Sequence, residues 1–175
     1  MRALICSLLA IATAAGLTAC GSDGDEPLIG EGKVRPKAQF IVKADAICRR
    51  QDDRLASESS KLARRQGGAA DISRIAPILE LNAQTIRTEI SEIVDLGRPS
   101  SDVGLLNRQL DQRRTMANIL RSSADAAEQR DLEAFEGVLA QLGENQAPAL
   151  AKQFGFEDCA QRQPLSELGA AGIAP

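Results

Sequence analysis

The stretch Asp71–Pro99, "DISRIAPILELNAQTIRTEISEIVDLGRP", decides the fold. Ile72, Ala76, Leu79, Ala83, Ile86, Ile90 and Ile93 recur at spacings of three and four, which aligns them along one helix face. Asp71 stands where an N-cap is needed, Gly97 where a helix ends left-handed, and Pro99 where the chain cannot continue. The spacing predicts a helix from about Asp71 to Leu96. Pro77 falls in its second turn, so the first turn is expected to be separate or kinked.

The same pattern repeats on both sides. A first helix is expected from about Lys37 to Gln66, ended by Gly67-Gly68, with Ile41, Ala44, Cys48, Gln51, Leu55, Glu58 and Leu62 on its stripe. A third is expected from Ser100 or Ser101 to about Gln129, along Val103, Leu106, Leu110, Arg113, Ala117, Leu120, Ala124 and Ala127. A fourth follows Asp131, another N-cap, with Leu132, Phe135, Leu139, Leu142, Gln146, Leu150 and Phe154 on its stripe. Pro148 is expected to bend that helix and Gly155 to end it. Four amphipathic helices with short connections make an all-α, antiparallel, up-down-up-down four-helix bundle over residues 37–159.

The N-terminus reads differently. Arg2 precedes an uncharged apolar run, Ala3 to Gly16, which is a secretory signal and too short to span a bilayer. Leu17-Thr18-Ala19-Cys20 then fits the lipobox of bacterial lipoproteins, an aliphatic residue and two small ones before a cysteine. Residues 1–19 are expected to leave as a signal peptide, and Cys20 to carry a diacylglycerol. An ordinary signal peptide with a chance cysteine is the alternative. Two or more acyl chains hold a protein on a bilayer stably, where one does so marginally. Residues 20–36 are the lipidated cysteine and a Gly/Pro-rich linker spanning roughly 20–25 Å as a flexible coil. The acidic "DGDE" at 23–26 lacks the remaining ligands of a calcium loop and reads as linker. Residues 160–175 read as a loose tail.

Of the four cysteines, Cys6 leaves with the signal and Cys20 takes lipid, so Cys48 and Cys159 remain. In an exported chain two such thiols most often form one disulfide, two free buried thiols being the alternative. The loop would exceed a hundred residues, and no C-x-x-C suggests a redox catalyst. In an up-down-up-down bundle, the start of the first helix and the end of the fourth share one end, so this pairing is geometrically natural.

Composition narrows the function. Removing residues 1–19 takes Arg2 alone from the 21 bases and none of the 24 acids, leaving a mature charge of about −4. That gives no reason to expect nucleic-acid binding. The chain has no His, Trp or Tyr and four Phe. It therefore lacks stacking platforms, the usual transition-metal ligand and the ordinary general base near neutral pH. Neither cofactor nor metal is expected, and no P-loop, dinucleotide fingerprint or G-x-S-x-G elbow is present.

Two stretches, "KADAIC" at 43–48 and "FGFEDC" at 154–159, resemble small helical lipoproteins of actinobacteria. Those proteins place an A-D-x-I-C segment early in the first helix and an aromatic-Gly-aliphatic-x-x-Cys segment at the end, usually followed by Gly. Ala160 departs from that pattern. The resemblance covers residues 37–160 and implies the anchor, the disulfide and the bundle, but no activity.

Candidate site residues come from interruptions of the stripes. Gln51, Arg113 and Gln146 each break an apolar stripe roughly 18–23 Å from the end that the bundle's termini share. Glu89 falls near that level and is the carboxylate expected to pair with Arg113. The plainest reading puts each at its stripe's edge, snorkelling to water. The others are a register-fixing polar layer and a pocket for an anionic ligand. Glu89 and Glu92, at i and i+3, could share a cation, but a solvated face is the better reading. Arg49, Arg50, Arg54, Arg64 and Arg65 could meet anionic lipid or wall polymer, yet Asp52, Asp53 and Glu58 interleave with them as on an ordinary mixed surface. The sequence thus leads to a non-enzymatic, lipid-anchored module on the outer face of the bacterial plasma membrane, its partners the membrane and an envelope protein. A ligand-binding or sensory module is the alternative.

Overall fold

The computed structural model describes residues 28–29, 32–66 and 71–161. Residues 1–19, Cys20, the linker through residue 27 and the tail from residue 162 lie outside the described residues. Helical segments make up 81% of what is described.

The first helix, α1, spans Lys37–Gln66. Its buried face includes Phe40, Ala44, Ile47, Cys48 and Leu55. Asp71 caps a separate 3-10 turn, Ile72–Arg74, by accepting from the Ser73 backbone N–H. Helix α2 then runs Ala76–Asp95 with Pro77 in its first turn, where a missing N–H costs nothing. The split expected at Pro77 is therefore present. Helix α2 packs on α1 and on α3, Val103–Glu128. Two neighbours explain why α2 buries a second row, Ile78, Asn82, Thr85 and Glu89, beside its expected stripe.

The fourth stretch is not one bent helix. It is α4, Leu132–Ala140, a 3-10 turn Gln141–Glu144, and α5, Ala147–Phe154. Asp131 caps α4 through the Ala134 N–H. Pro148 sits in the first turn of α5, and Asn145 before it is extended, with φ −72° and ψ 125°. Pro148 has no N–H to give to an earlier carbonyl and crowds the preceding turn, so it starts a helix where a bend was expected. The Asn145 side chain fills the break, donating to Gln112 O at 2.8 Å and accepting from Ala147 N at 2.9 Å. Both α4 and α5 lie on α3. Gly155 ends α5 in the left-handed region at φ 107°, and a short α6, Asp158–Gln161, follows.

Part of the expected linker is packed. Ile29 is buried and donates its N–H to Asn107 Oδ1 at 2.9 Å. Strands β1, Val34–Arg35, and β2, Arg98–Pro99, pair in parallel. Gly97 permits this approach. Its φ is +87°, and a Cβ there would stand 2.3 Å from Lys33 O.

The aromatic contacts gather where α1 begins and α5 ends. Phe40 meets Phe154 edge-on at 6.2 Å between centroids, and Phe154 lies 4.7 Å from Phe156. Among the described residues no helix is long and apolar enough to cross a membrane.

A buried ion pair behind the disulfide

Cys48 and Cys159 form a disulfide, with Cα atoms 5.2 Å apart across a sequence separation of 111. Cys48 lies on the inner stripe of α1 and Cys159 in α6. Asp45, one turn before Cys48, is buried and holds α6 in place. Its two carboxylate oxygens accept from the backbone N–H groups of Glu157 and Cys159, each at 3.1 Å. A carboxylate satisfying free N–H groups at a helix start also meets the positive end of the peptide dipoles. Sequence reading gave Asp45 no role. Its spacing of three from Cys48, on the same helix face, was the available signal.

Directly behind the disulfide, Glu89 and Arg113 form an ion pair, with 0% and 3% of each residue exposed. Arg113 Nη1 donates to Glu89, and Nη2 donates to Cys159 O at 2.6 Å. Glu89 Oε1 lies 2.6 Å from Cys48 Sγ. A bridged sulfur carries no proton, so this is a contact rather than a donation. One guanidinium thus ties α3 to α2 and to the backbone of α6. Two buried charges lose their hydration, and they are tolerated because each faces its opposite and further polar groups.

The four candidate residues do not form one layer. Glu89 and Arg113 pair as expected, but deep inside and not at the edge of a stripe. The solvated face expected for Glu89 and Glu92 is corrected for Glu89, because α2 is covered on two sides. Gln51 is buried and turns to a different carboxylate, donating to Glu92 Oε2 at 2.8 Å. Arg50 reaches the same oxygen at 3.0 Å. Gln146 is exposed beside the break before α5, where its N–H donates to Gln112 Oε1. The break turned it off the stripe on which a continuous helix would have kept it. On α1, Arg49 pairs with Asp158 and Arg50 with Glu92, so these bases share a mixed surface with acids.

Cys48, Glu89 and Cys159 bring three potential metal ligands within 4.8 Å of one another. The disulfide takes both thiolates, and a cation at Glu89 would meet the Arg113 guanidinium. This chemistry suits a structural joint. Two surface grooves add to the picture, and neither is lined by Gln51, Glu89 or Arg113. One of about 330 Å³ lies on α1 beside exposed Val42. The other, of about 530 Å³, lies between α2 and α3.

The chain matches no family model, and neither curated proteins nor solved structures give a significant match.

Proposed function

We propose that the chain is a lipid-anchored, extracytoplasmic helical module that acts without catalysis, by contact with another protein of the bacterial envelope. The observation that carries this reading is the Cys48–Cys159 disulfide. Such bridges persist in oxidising compartments. It joins the two cysteines left once Cys6 is assigned to a signal and Cys20 to lipid. The likeness of "KADAIC" and "FGFEDC" to actinobacterial lipoproteins supports the same reading.

The bundle is an up-down-up-down arrangement of four arms, the fourth broken at Asn145. Arg130 pairs with Asp71 at 3.1 Å where arms three and two meet. Lys37 stands 4.6 Å from the Phe154 ring centroid where arms one and four meet. Both contacts suit antiparallel neighbours. The alternative, a pocket for an anion at the polar layer, has less support. Arg113 spends Nη1 and Nη2 on Glu89 and Cys159.

Expression of Cys20→Ala in the native host tests the anchor. Unprocessed precursor or release into the medium is expected. Unchanged mass and unchanged membrane retention would refute it.

A further inference from the structure

The groove between α2 and α3 has an apolar floor and a cationic rim. Leu28, Ile90 and Val94 form the floor, and Arg87, Arg114 and Arg121 stand around it. Among the described residues, none that lines the groove is acidic. Arg87 reaches across the groove to Asn118 Oδ1 at 3.2 Å. Among the described residues, Arg87 and Arg121 make no salt bridge, and Arg114 has one, to exposed Asp111 at 3.9 Å. Arg114 and Arg121 are seven residues apart on α3, two turns along one face. On a chain of net negative charge, three guanidinium groups around one apolar trough form a concentrated exception.

The chain's own connectivity says what this trough faces. Leu28 is part of its floor, and Ile29 is fixed beside it through Asn107. Eight residues separate Leu28 from Cys20, at most about 26–29 Å fully extended. An anchor at Cys20 would hold this face of the molecule within that distance of the lipid surface.

We propose that the groove of Arg87, Arg114 and Arg121 is a membrane-docking site that seats the headgroups of anionic phospholipids. The inference rests on the anchored reading for its orientation. Arginine forks match phosphate oxygens, and juxtamembrane basic residues are drawn to anionic leaflets. The floor of Leu28, Ile90 and Val94 receives the less polar glycerol and upper acyl region. An inorganic anion would have no use for that floor. Docking would make the module lie against the bilayer at a set angle, with the disulfide joint placed by that contact.

The test uses the full chain, purified from membranes and reconstituted in vesicles with brominated acyl chains. The protein has no Trp or Tyr, so Ser91→Trp, at an exposed position on the groove wall, supplies the sole strong emitter. In vesicles containing phosphatidylglycerol its emission is expected to shift to the blue and be quenched. In pure phosphatidylcholine it is expected to do neither. The additional changes Arg87→Gln, Arg114→Gln and Arg121→Gln, or high salt, should abolish the effect, while lysines at the same three positions should keep it. Co-sedimentation with phosphatidylcholine vesicles reports the anchor alone, so its loss would sink the anchored reading while the emission still decides the groove. The docking site is overturned by equal emission in both lipids or by quenching that survives the three glutamines. It is also overturned by a blue shift without vesicles that Asp23→Asn, Asp25→Asn and Glu26→Gln remove, which would give the groove to the chain's own acidic segment.

Discussion

The two ends of the helices are built from different material. Where α1 begins and α5 ends, three of the four phenylalanines pack together beside a disulfide, a buried ion pair and the buried Asp45 carboxylate. Where the chain passes from α3 into α4, the core is aliphatic, with Ile75, Ala126 and Ala127 buried, and among the described residues it holds no disulfide or buried ion pair. Arg130 pairs with Asp71 at the surface, Phe135 is the one buried residue of α4, and Leu132 is 52% exposed. The contrast teaches where this small module puts its order. A covalent tie, aromatic packing and desolvated charges fix one end, while the other is packed with aliphatic residues such as Ile75, Ile78 and Ala127, with caps and a surface pair at its rim.

Opening the disulfide should do the most to break the contrast. The double variant Cys48→Ala, Cys159→Ala frees a loop of 111 residues in the unfolded chain. The chain-entropy model puts that loss at about 4–5 kcal/mol as an upper value. Urea unfolding should show a lower midpoint. A midpoint unchanged from wild type would show that the disulfide does not stabilise the fold.

Arg113→Ala comes next, at about 3–5 kcal/mol, because it takes the guanidinium away from buried Glu89 and removes the Nη2 donor from Cys159 O. Replacing both partners, Glu89→Leu with Arg113→Leu, should restore most of that loss. If the single and double variants are equally unstable, the pair contributes more than mutual compensation, and the joint has been misread.

The smallest effect is on acid stability, and it touches both ends. Hydrogen bonding from the Lys37 ammonium, then from Ser101, holds Asp102 below the usual carboxylate range. At the other end the Ser73 hydroxyl and backbone N–H do the same for Asp71. Each carboxylate is therefore a stronger acid when folded than when unfolded. Its contribution is present above the unfolded value of about 3.9 and is lost as pH falls through the lower folded value. Asp102→Asn and Asp71→Asn should each flatten the fall of thermal stability below about pH 4. A slope unaltered by either change would show that these carboxylates are not coupled to folding.

Much of this was readable in the residues. The bounds of α1, the separate turn before Pro77 and the Gly155 stop follow from periodicity, caps and breakers, which act locally. The Cys48–Cys159 pair followed from elimination, and Glu89 with Arg113 from their matching heights. What stayed hidden depends on neighbours. Burial of Glu89 needs α2 covered on two sides, and no stripe of α2 alone reveals the second. Gln146 left its stripe because Pro148 and Asn145 together end one helix and start another, where a proline alone suggested a bend. Asp45 caps α6 across 112 to 114 residues of sequence, and Val34–Arg35 found a strand partner in Arg98–Pro99. Short polar segments acquire such partners only in the folded chain.

In the proposed reading the molecule is anchored at Cys20 and tied between Cys48 and Cys159. Intact mass of the protein taken from its native membrane under non-reducing alkylation tests both at once. The expected result is a chain of residues 20–175 bearing diacylglycerol, with no alkylated thiol. A mass for residues 1–175 without lipid, alkylated at Cys48 and Cys159, would contradict it.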